Sequence, residues 1–346
     1  MTEIGCACRV WLVSFSIALL GAIAPTAPAE GADRPWTDLA DNARWSLDLA
    51  TRRTEALDGP GWSGNYAVGL DLQKVLSGGG RDLGVIVFQP YFVRLINVDQ
   101  PSLTFDDPSE WELTWRIANA NFHVLERGRL NLRFGHFELP FGLEQNIDTN
   151  GTLRQLTFAE RGIKVDWGVT ANGIVNQLEY ELALSRGSGN DFEAIGDPYV
   201  VAGRVGSSTR RNVIVGASFL AGDVLTTNGT ADRRRLGLDL AMYRDNWEWL
   251  IELSSGEDDG QDRHLVFSDV AWRSPLETVL VYLQSRYSRG ERLEGDVDAR
   301  SAALGCAVTL RRRWSVSAEF RRTVTDDPLQ RDDVTATVQI RFRTAG

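Results

Sequence analysis

The sequence predicts an all-β fold, a transmembrane antiparallel β-barrel of about 16 strands, and three observations carry that expectation. Apolar and polar residues alternate with period two from about residue 45 to the C-terminus, several alternating runs reach 10 to 13 residues, and the connections between runs alternate short and long. Alternation marks a strand with two unlike faces. Length then separates membrane strands from soluble ones, because a soluble strand is typically about 5 to 6 residues long whereas a tilted strand crossing a bilayer needs about 9 to 11. Tight turns at one end and longer loops at the other belong to a barrel with an even strand number and both termini on the periplasmic side.

The chain opens on an apolar run, Val10 to Ala24, with Arg9 before it and Ala27-Pro28-Ala29 after it. That order of charge, apolar core and small residues is expected of a secretory signal peptide over 1–29. Residues 30–44 show no convincing alternation and are expected to be a periplasmic lead-in, with the barrel over 45–346. No later run approaches the roughly 20 apolar residues that a membrane helix needs, so helical spanning is excluded for the mature chain. Cys6 and Cys8 precede the apolar run and only Cys306 follows it, so neither a lipoprotein anchor nor an intramolecular disulfide is expected.

Successive strands are expected at 45–56, 63–75, 83–96, 109–125, 129–139, 161–171, 174–186, 198–207, 211–221, 234–243, 247–254, 263–273, 277–288, 298–310, 314–323 and 333–343. The last is the clearest: Val334, Ala336, Val338, Ile340 and Phe342 alternate with Thr335, Thr337, Gln339, Arg341 and Arg343. Short connections fall at 76–82, 126–128, 172–173, 208–210, 244–246, 274–276 and 311–313, and long ones at 97–108, 140–160, 187–197, 222–233, 255–262, 289–297 and 324–332. Trp45, Trp62, Trp111, Trp167, Trp272, Trp314 and Phe342 stand at strand ends, where interfacial aromatic girdles belong. A secreted β-rich binding or adhesion module, or a barrel that is not a channel, is the alternative reading, because a soluble sandwich also alternates.

Composition excludes other classes. A formal charge of −10 argues against nucleic acid as a partner. The histidines are His123, His136 and His264, none within G-x-S-x-G or H-E-x-x-H, so no catalytic role and no cofactor are expected. His136 is expected to be a polar residue of a channel wall. The acidic group Glu257, Asp258, Asp259 and Asp262 lacks EF-hand spacing and is expected to be a solvated loop. Cys306 shares the parity of Leu304, Val308 and Leu310 and is expected to face lipid.

Residues 130–144, LNLRFGHFELPFGLE, followed by Leu156-Thr157-Phe158-Ala159-Glu160-Arg161, then Asp166-Trp167-Gly168-Val169 and Tyr180 to Asn190, resemble the phosphate-selective porin O/P family of Gram-negative outer-membrane porins over about 60 residues. The resemblance implies a passive outer-membrane channel for small hydrophilic solutes or ions, anions or phosphate among them. It also implies outer-membrane lipid and lipopolysaccharide as surroundings, and a homotrimer is one assembly that it allows. Loop 140–160, the longest and the third long one, opens with Pro140 and Gly142, which turn a chain sharply. Read with the resemblance, it folds inward and makes Glu144, Asp148, Arg154, Glu160 and Arg161 the constriction charges. Parity puts Arg116, Arg133, Lys164, Asp166, Glu181, Asp239, Glu248, Glu252, Arg286, Arg300, Glu319, Arg321, Arg341 and Arg343 on the lumen side. Family members selective for phosphate carry a lysine cluster, which a chain with only Lys74 and Lys164 cannot supply.

Overall fold

Every alternating run becomes a strand in the computed structural model, which describes residues 43–78, 81–98, 110–145, 147, 149, 151–190, 197–227, 229–292, 295–311, 313–327 and 331–344. The expected leader, and the lead-in as far as residue 42, lie outside the described residues. The strands are β1 (Ala43–Ala56), β2 (Trp62–Gly78), β3 (Arg81–Ile96), β4 (Glu112–Leu125), β5 (Leu130–Glu138), β6 (Val165–Val175), β7 (Leu178–Ser185) and β8 (Val200–Ser207). They continue as β9 (Val213–Thr226), β10 (Gly229–Arg244), β11 (Trp247–Asp258), β12 (Gln261–Arg273), β13 (Val279–Arg292), β14 (Gly295–Leu310), β15 (Trp314–Thr325) and β16 (Asp333–Arg343). Each pairs antiparallel with its sequence neighbours, and β1 closes the barrel against β16 with Thr51 opposite Ile340. Closure leaves no unpaired strand edge, the condition for crossing hydrocarbon with strands.

Burial is inverted relative to a water-soluble protein. Asp48, Arg235, Glu252 and Asp269 are at most 2% exposed, while Leu236, Leu238 and Leu304 are 57% to 70% exposed. A sandwich in water would hide the leucines and show the charges. The apolar face continues round the cylinder, far beyond the few hundred Å² that a soluble monomer tolerates in one patch, so the outer face meets lipid and the polar face lines a lumen. No helix among the described residues is long and apolar enough to cross a membrane.

The structure corrects several expected boundaries. The turn between β6 and β7 uses Asn176 and Gln177, with φ of 50° and 68°, and not 172–173. Asn172 points inward instead, donating to Thr170 Oγ1 at 3.3 Å and Asn121 Oδ1 at 3.4 Å. The expected long loops at 222–233, 255–262 and 289–297 are largely strand, because β9–β10, β11–β12 and β13–β14 run on as hairpins to two-residue connections. Asp259 and Gly260 take φ of 49° and 77°, the geometry that matches strand twist in a tight hairpin. Polar side chains favour both faces there, as in the Arg234–Glu257 pair at 3.0 Å, which the period-two pattern mistakes for loop.

Arg300, expected on the lumen wall, lies on the outer face of β14 in the row of Ala302, Leu304 and Cys306. Its side chain is 73% exposed and stands over the Tyr287 ring at 5.6 Å. His136 likewise sits on the outer row of β5 with Leu132 and Phe134, fully buried, its ring 5.0 Å from that of Trp167. Both corrections follow from strand parity, since residues two apart share a face. Cys306 is exposed and unpaired on the outer face, as expected.

Candidate functional site

The connection from β5 to β6 begins by turning away from the wall. Leu139 N–H donates to the Lys164 carbonyl at 2.9 Å, which holds its two ends together. Phe137, Leu139, Phe141 and Ile163 then pack inside the barrel against Ala183, Val200, Ala202, Leu220 and Val224. Gly142, at φ 59°, lets the chain come so close to the wall that a Cβ there would stand 2.1 Å from Glu252 Oε2. The Gly142 and Leu143 amides donate to Ser218 Oγ at 3.0 Å and Glu252 Oε2 at 2.8 Å. Leu143 and Leu156 rest on a second apolar pad made by Ile214, Ala241, Leu250, Leu265 and Phe267. Burying each leucine contributes about 1.5–3 kcal/mol as an upper bound.

Ionic contacts complete the crossing. Arg154 donates from Nε and Nη2 to Asp269 at 3.1 and 2.8 Å and from Nη2 to Glu248 Oε1 at 2.6 Å, with its side chain fully buried. Arg161 Nη1 donates to Glu252 Oε1 at 3.2 Å and Thr157 Oγ1 at 3.1 Å, and its guanidinium lies 4.5 Å from the Phe141 ring centre. Glu160 accepts from Arg235 Nε. Further along, the Gly151 carbonyl accepts from Ser317 Oγ at 3.1 Å and the Leu156 carbonyl from Arg286. The third connection at the long-loop end is thus folded into the lumen and fastened to strands from β9 to β15.

These contacts sort the five expected constriction residues. Arg154, Glu160 and Arg161 reach the wall that the loop is fastened to. Glu144 stands on the other side of the loop, in a short 3₁₀ turn over Gly142–Gln145, with its Oε2 3.3 Å from Lys164 Nζ. Asp148 lies outside the described residues. Open space remains between the loop and the wall formed by β16 and β1 to β5. There a cavity of ≈ 380 Å³ is lined by Asp48, Arg52, Tyr91, Arg116, Glu144, Thr149, Gly151, Arg154, Lys164, Gln339 and Arg341, among others. Arg341 Nε donates to Asp48 Oδ1 at 2.7 Å, Tyr91 Oη to Asp48 Oδ2 at 2.8 Å, and Arg52 Nη2 to the neutral Gln339 Oε1 at 3.0 Å. Arg116, Glu144, Thr149 and Lys164 also line a second cavity of ≈ 690 Å³ toward the short-turn end. Its wall includes Asn119, Asn121 and Arg133, the last donating to Glu181 Oε1 at 3.0 Å.

Of the other expected wall residues, Arg321 lies inward, paired with Glu319 at 3.0 Å. Asp166 also points inward but is fully buried, accepting from the Trp167 and Gly189 amides at 2.9 and 3.1 Å and from the Gly187 amide, so it fastens the start of connection 186–199. Arg52 and Asp269 are site residues absent from the sequence-based expectation. Parity with Asp48 and Ala50 points to Arg52. Among the described residues no group of three or more His, Cys, Asp or Glu is arranged to hold a metal ion.

No family model matches the chain, and no curated protein matches it in sequence. Solved structures do match in shape. OmpF of Salmonella typhi, in complex with daunomycin, superposes with a TM-score of 0.64 at 10% identity over 87% of this chain and 97% of its own. The trimer form of OmpT, an outer-membrane protein of Vibrio cholerae, gives 0.63 at 11% identity over 87% and 99%. An anion-selective porin from Comamonas acidovorans gives 0.56 at 11% identity over 88% and 99%. The chain has the porin fold. Identities this low speak for that fold alone.

Proposed function

We propose that the chain is an outer-membrane porin that lets small hydrophilic solutes diffuse passively through a fixed eyelet and favours anions. The observation that carries this reading is the inward loop, fastened on one side and leaving a polar passage on the other. In the narrow part of that passage four cations, Arg52, Arg116, Lys164 and Arg341, face two carboxylates, Asp48 and Glu144, with a third, Glu138, 3.4 Å from Lys164. Arg154 also reaches that cavity, but Asp269 and Glu248 offset its charge. Fixed charge in a confined passage with low-dielectric walls acts on ions more strongly than charge on an open surface. Of the two lysines only Lys164 reaches the passage, which favours a general anion preference over phosphate specificity.

Glu144 and Lys164 then bear on the constriction from the loop side, while Arg154, Glu160 and Arg161 act as its fastenings. Export through a signal peptide at 1–29 and a homotrimeric assembly are parts of the same proposal, the second supported by the trimeric form of a structure that shares the fold. The test is a planar lipid bilayer. Stepwise conductance is expected, with a reversal potential across a potassium chloride gradient on the anion side. Arg52→Gln combined with Arg116→Gln should move that potential toward cations. Absence of any conductance step would end the channel reading, and an unmoved potential would remove these arginines from the selectivity site.

A further inference from the structure

Toward the short-turn end the passage widens into the cavity of ≈ 690 Å³, and its wall turns from charges to carboxamides. Gln89 on β3, Asn119 and Asn121 on β4 and Gln145 on the loop line it. Asn131 and Asn172 line an adjoining recess of ≈ 340 Å³, which shares Gln145 with it. Asn119 and Asn121 stand two apart on one strand, so they share the lumen face about 7 Å from each other. Their neighbours fix how each amide is turned. Asn119 Nδ2 donates to the His136 carbonyl at 3.0 Å, and Asn121 Oδ1 accepts from Asn172 Nδ2 at 3.4 Å. Asn172 Oδ1 in turn accepts from Asn131 Nδ2 at 3.0 Å. An acceptor on Asn119 and a donor on Asn121 therefore have no partner among the described residues, and Gln89 Oε1 accepts nothing either. An uncharged donor beside an uncharged acceptor is matched by a peptide bond, which offers one of each.

Charges of both signs flank the amides. Arg116 and Lys164 line this cavity and the narrow one next to it, whereas Glu179 and Glu181 lie on β7, close to its short turn. Glu181 is held by Arg133 at 3.0 Å and by Gln145 at 2.7 Å. Glu179 accepts only from Ser208 and Thr209, at 2.9 to 3.1 Å and all on Oε1, and makes no ion pair among the described residues. Val85 and Val87, directly opposite Asn121 and Asn119, add an apolar strip to the same wall. A space of that volume is about 9 Å across, the length of two to three extended residues at roughly 3.3–3.6 Å each. An inorganic anion has no use for the amides or for Glu179. A sugar would use the amides but neither the separated charges nor the valines. A short zwitterionic peptide uses all of them.

We propose that the carboxamide wall recognises short zwitterionic peptides, with the carboxylate toward Arg116 and Lys164, the ammonium toward Glu179 and the peptide bond on Asn119 and Asn121. The inference rests on the channel reading for access to the site and names a substrate class for it. Binding is measured by saturation-transfer NMR on the purified, folded full chain in detergent, with diglycine, 5-aminopentanoate, glycylsarcosine and glucose as probes. 5-Aminopentanoate has the charges of diglycine at the same spacing without the amide, and glycylsarcosine keeps the carbonyl but lacks the N–H. Diglycine should bind about fivefold more tightly than each of the other three, the worth of one hydrogen bond. Asn119→Leu with Asn121→Leu should bring diglycine down to the level of 5-aminopentanoate. Glu179→Gln should weaken those two probes alike, because both carry the ammonium. Heat-resistant mobility reports the folding of each variant, and the four-probe comparison on the parent needs no variant at all. Equal binding of diglycine and 5-aminopentanoate by the parent, glucose bound as tightly as diglycine, or an unchanged probe ratio in the folded leucine pair overturns the proposal. In a planar bilayer, diglycine should reduce the parent's single-channel current at a concentration about fivefold below that needed for 5-aminopentanoate. Selective binding without any conductance step would end the channel reading and leave the recognition site, whereas conductance steps with equal binding of the two probes would end this proposal alone.

Discussion

Arg154 ties the inward loop to two strands at once, and removing its charge leaves the buried Asp269 with the neutral Gln284 amide at 2.7 Å and Glu248 with Arg273 at 3.6 Å. Breaking a buried pair from one side costs about 3–5 kcal/mol, most of it from the charge left unpaired. For Arg154→Gln the loss should fall on the loop, because the barrel ladder is untouched. Single-channel records should show a larger and noisier open level, while the heat-resistant barrel band persists; an unchanged, quiet level would mean that the apolar pads alone hold the loop. Arg154 is legible in the sequence but its partner Asp269 is not. On β12 the inward row includes Leu265, Phe267 and Asp269, and the outward row includes Val266, Val270 and Trp272, so both faces look apolar and parity does not tell them apart. The inner row is apolar there because the loop lies on it.

Strand parity makes its own demand. Val338 is 48% exposed on the outer face of β16, whereas Thr337 points inward, its Oγ1 3.0 Å from that of Thr54. Val338→Arg should cost roughly 2–4 kcal/mol if it lies near the midplane, and Thr337→Arg should cost about one hydrogen bond, near 1 kcal/mol. The fraction of chain that refolds to a heat-resistant barrel measures both, and equal losses would overturn the assignment of faces. For the loop as an element, deleting 146–153 removes Thr149, Gly151 and Thr152 from the wall of the narrow cavity and should raise single-channel conductance. An unchanged conductance would place the limiting aperture elsewhere. Element boundaries were less legible than element number. Asn172-Gly173 reads as a turn because asparagine and glycine favour one, yet the antiparallel pairing of β6 with β7 continues past it to Val175 opposite Leu178.

At the scale of the whole molecule, the fold was readable because lipid imposes one rule on the entire outer face, and a rule repeated over 16 strands survives local exceptions. The site was only partly readable because the lumen obeys two rules at once, polar where it carries water and apolar where the loop rests. Arg52 shares its face with Asp48 and Ala50, but the polar run Thr51 to Glu55 blurs the alternation around it. The partners of Arg154 and Arg161 were hidden because they lie about a hundred residues downstream, at separations of 94 and 115 residues for Arg154 and 91 for Arg161.

The seam between β1 and β16 carries this further. The Arg341–Asp48 pair joins residues 293 apart in sequence, and Arg52 meets Gln339 across 287. Contacts of such high order form only once nearly the whole chain is present, since each must offset the entropy of closing that span. Half of the eyelet's positive charge, Arg52 and Arg341, therefore acquires its position in the same event that seals the cylinder. An open, unsealed sheet lacks the eyelet, so on the proposed reading closure of this seam is also what creates selectivity.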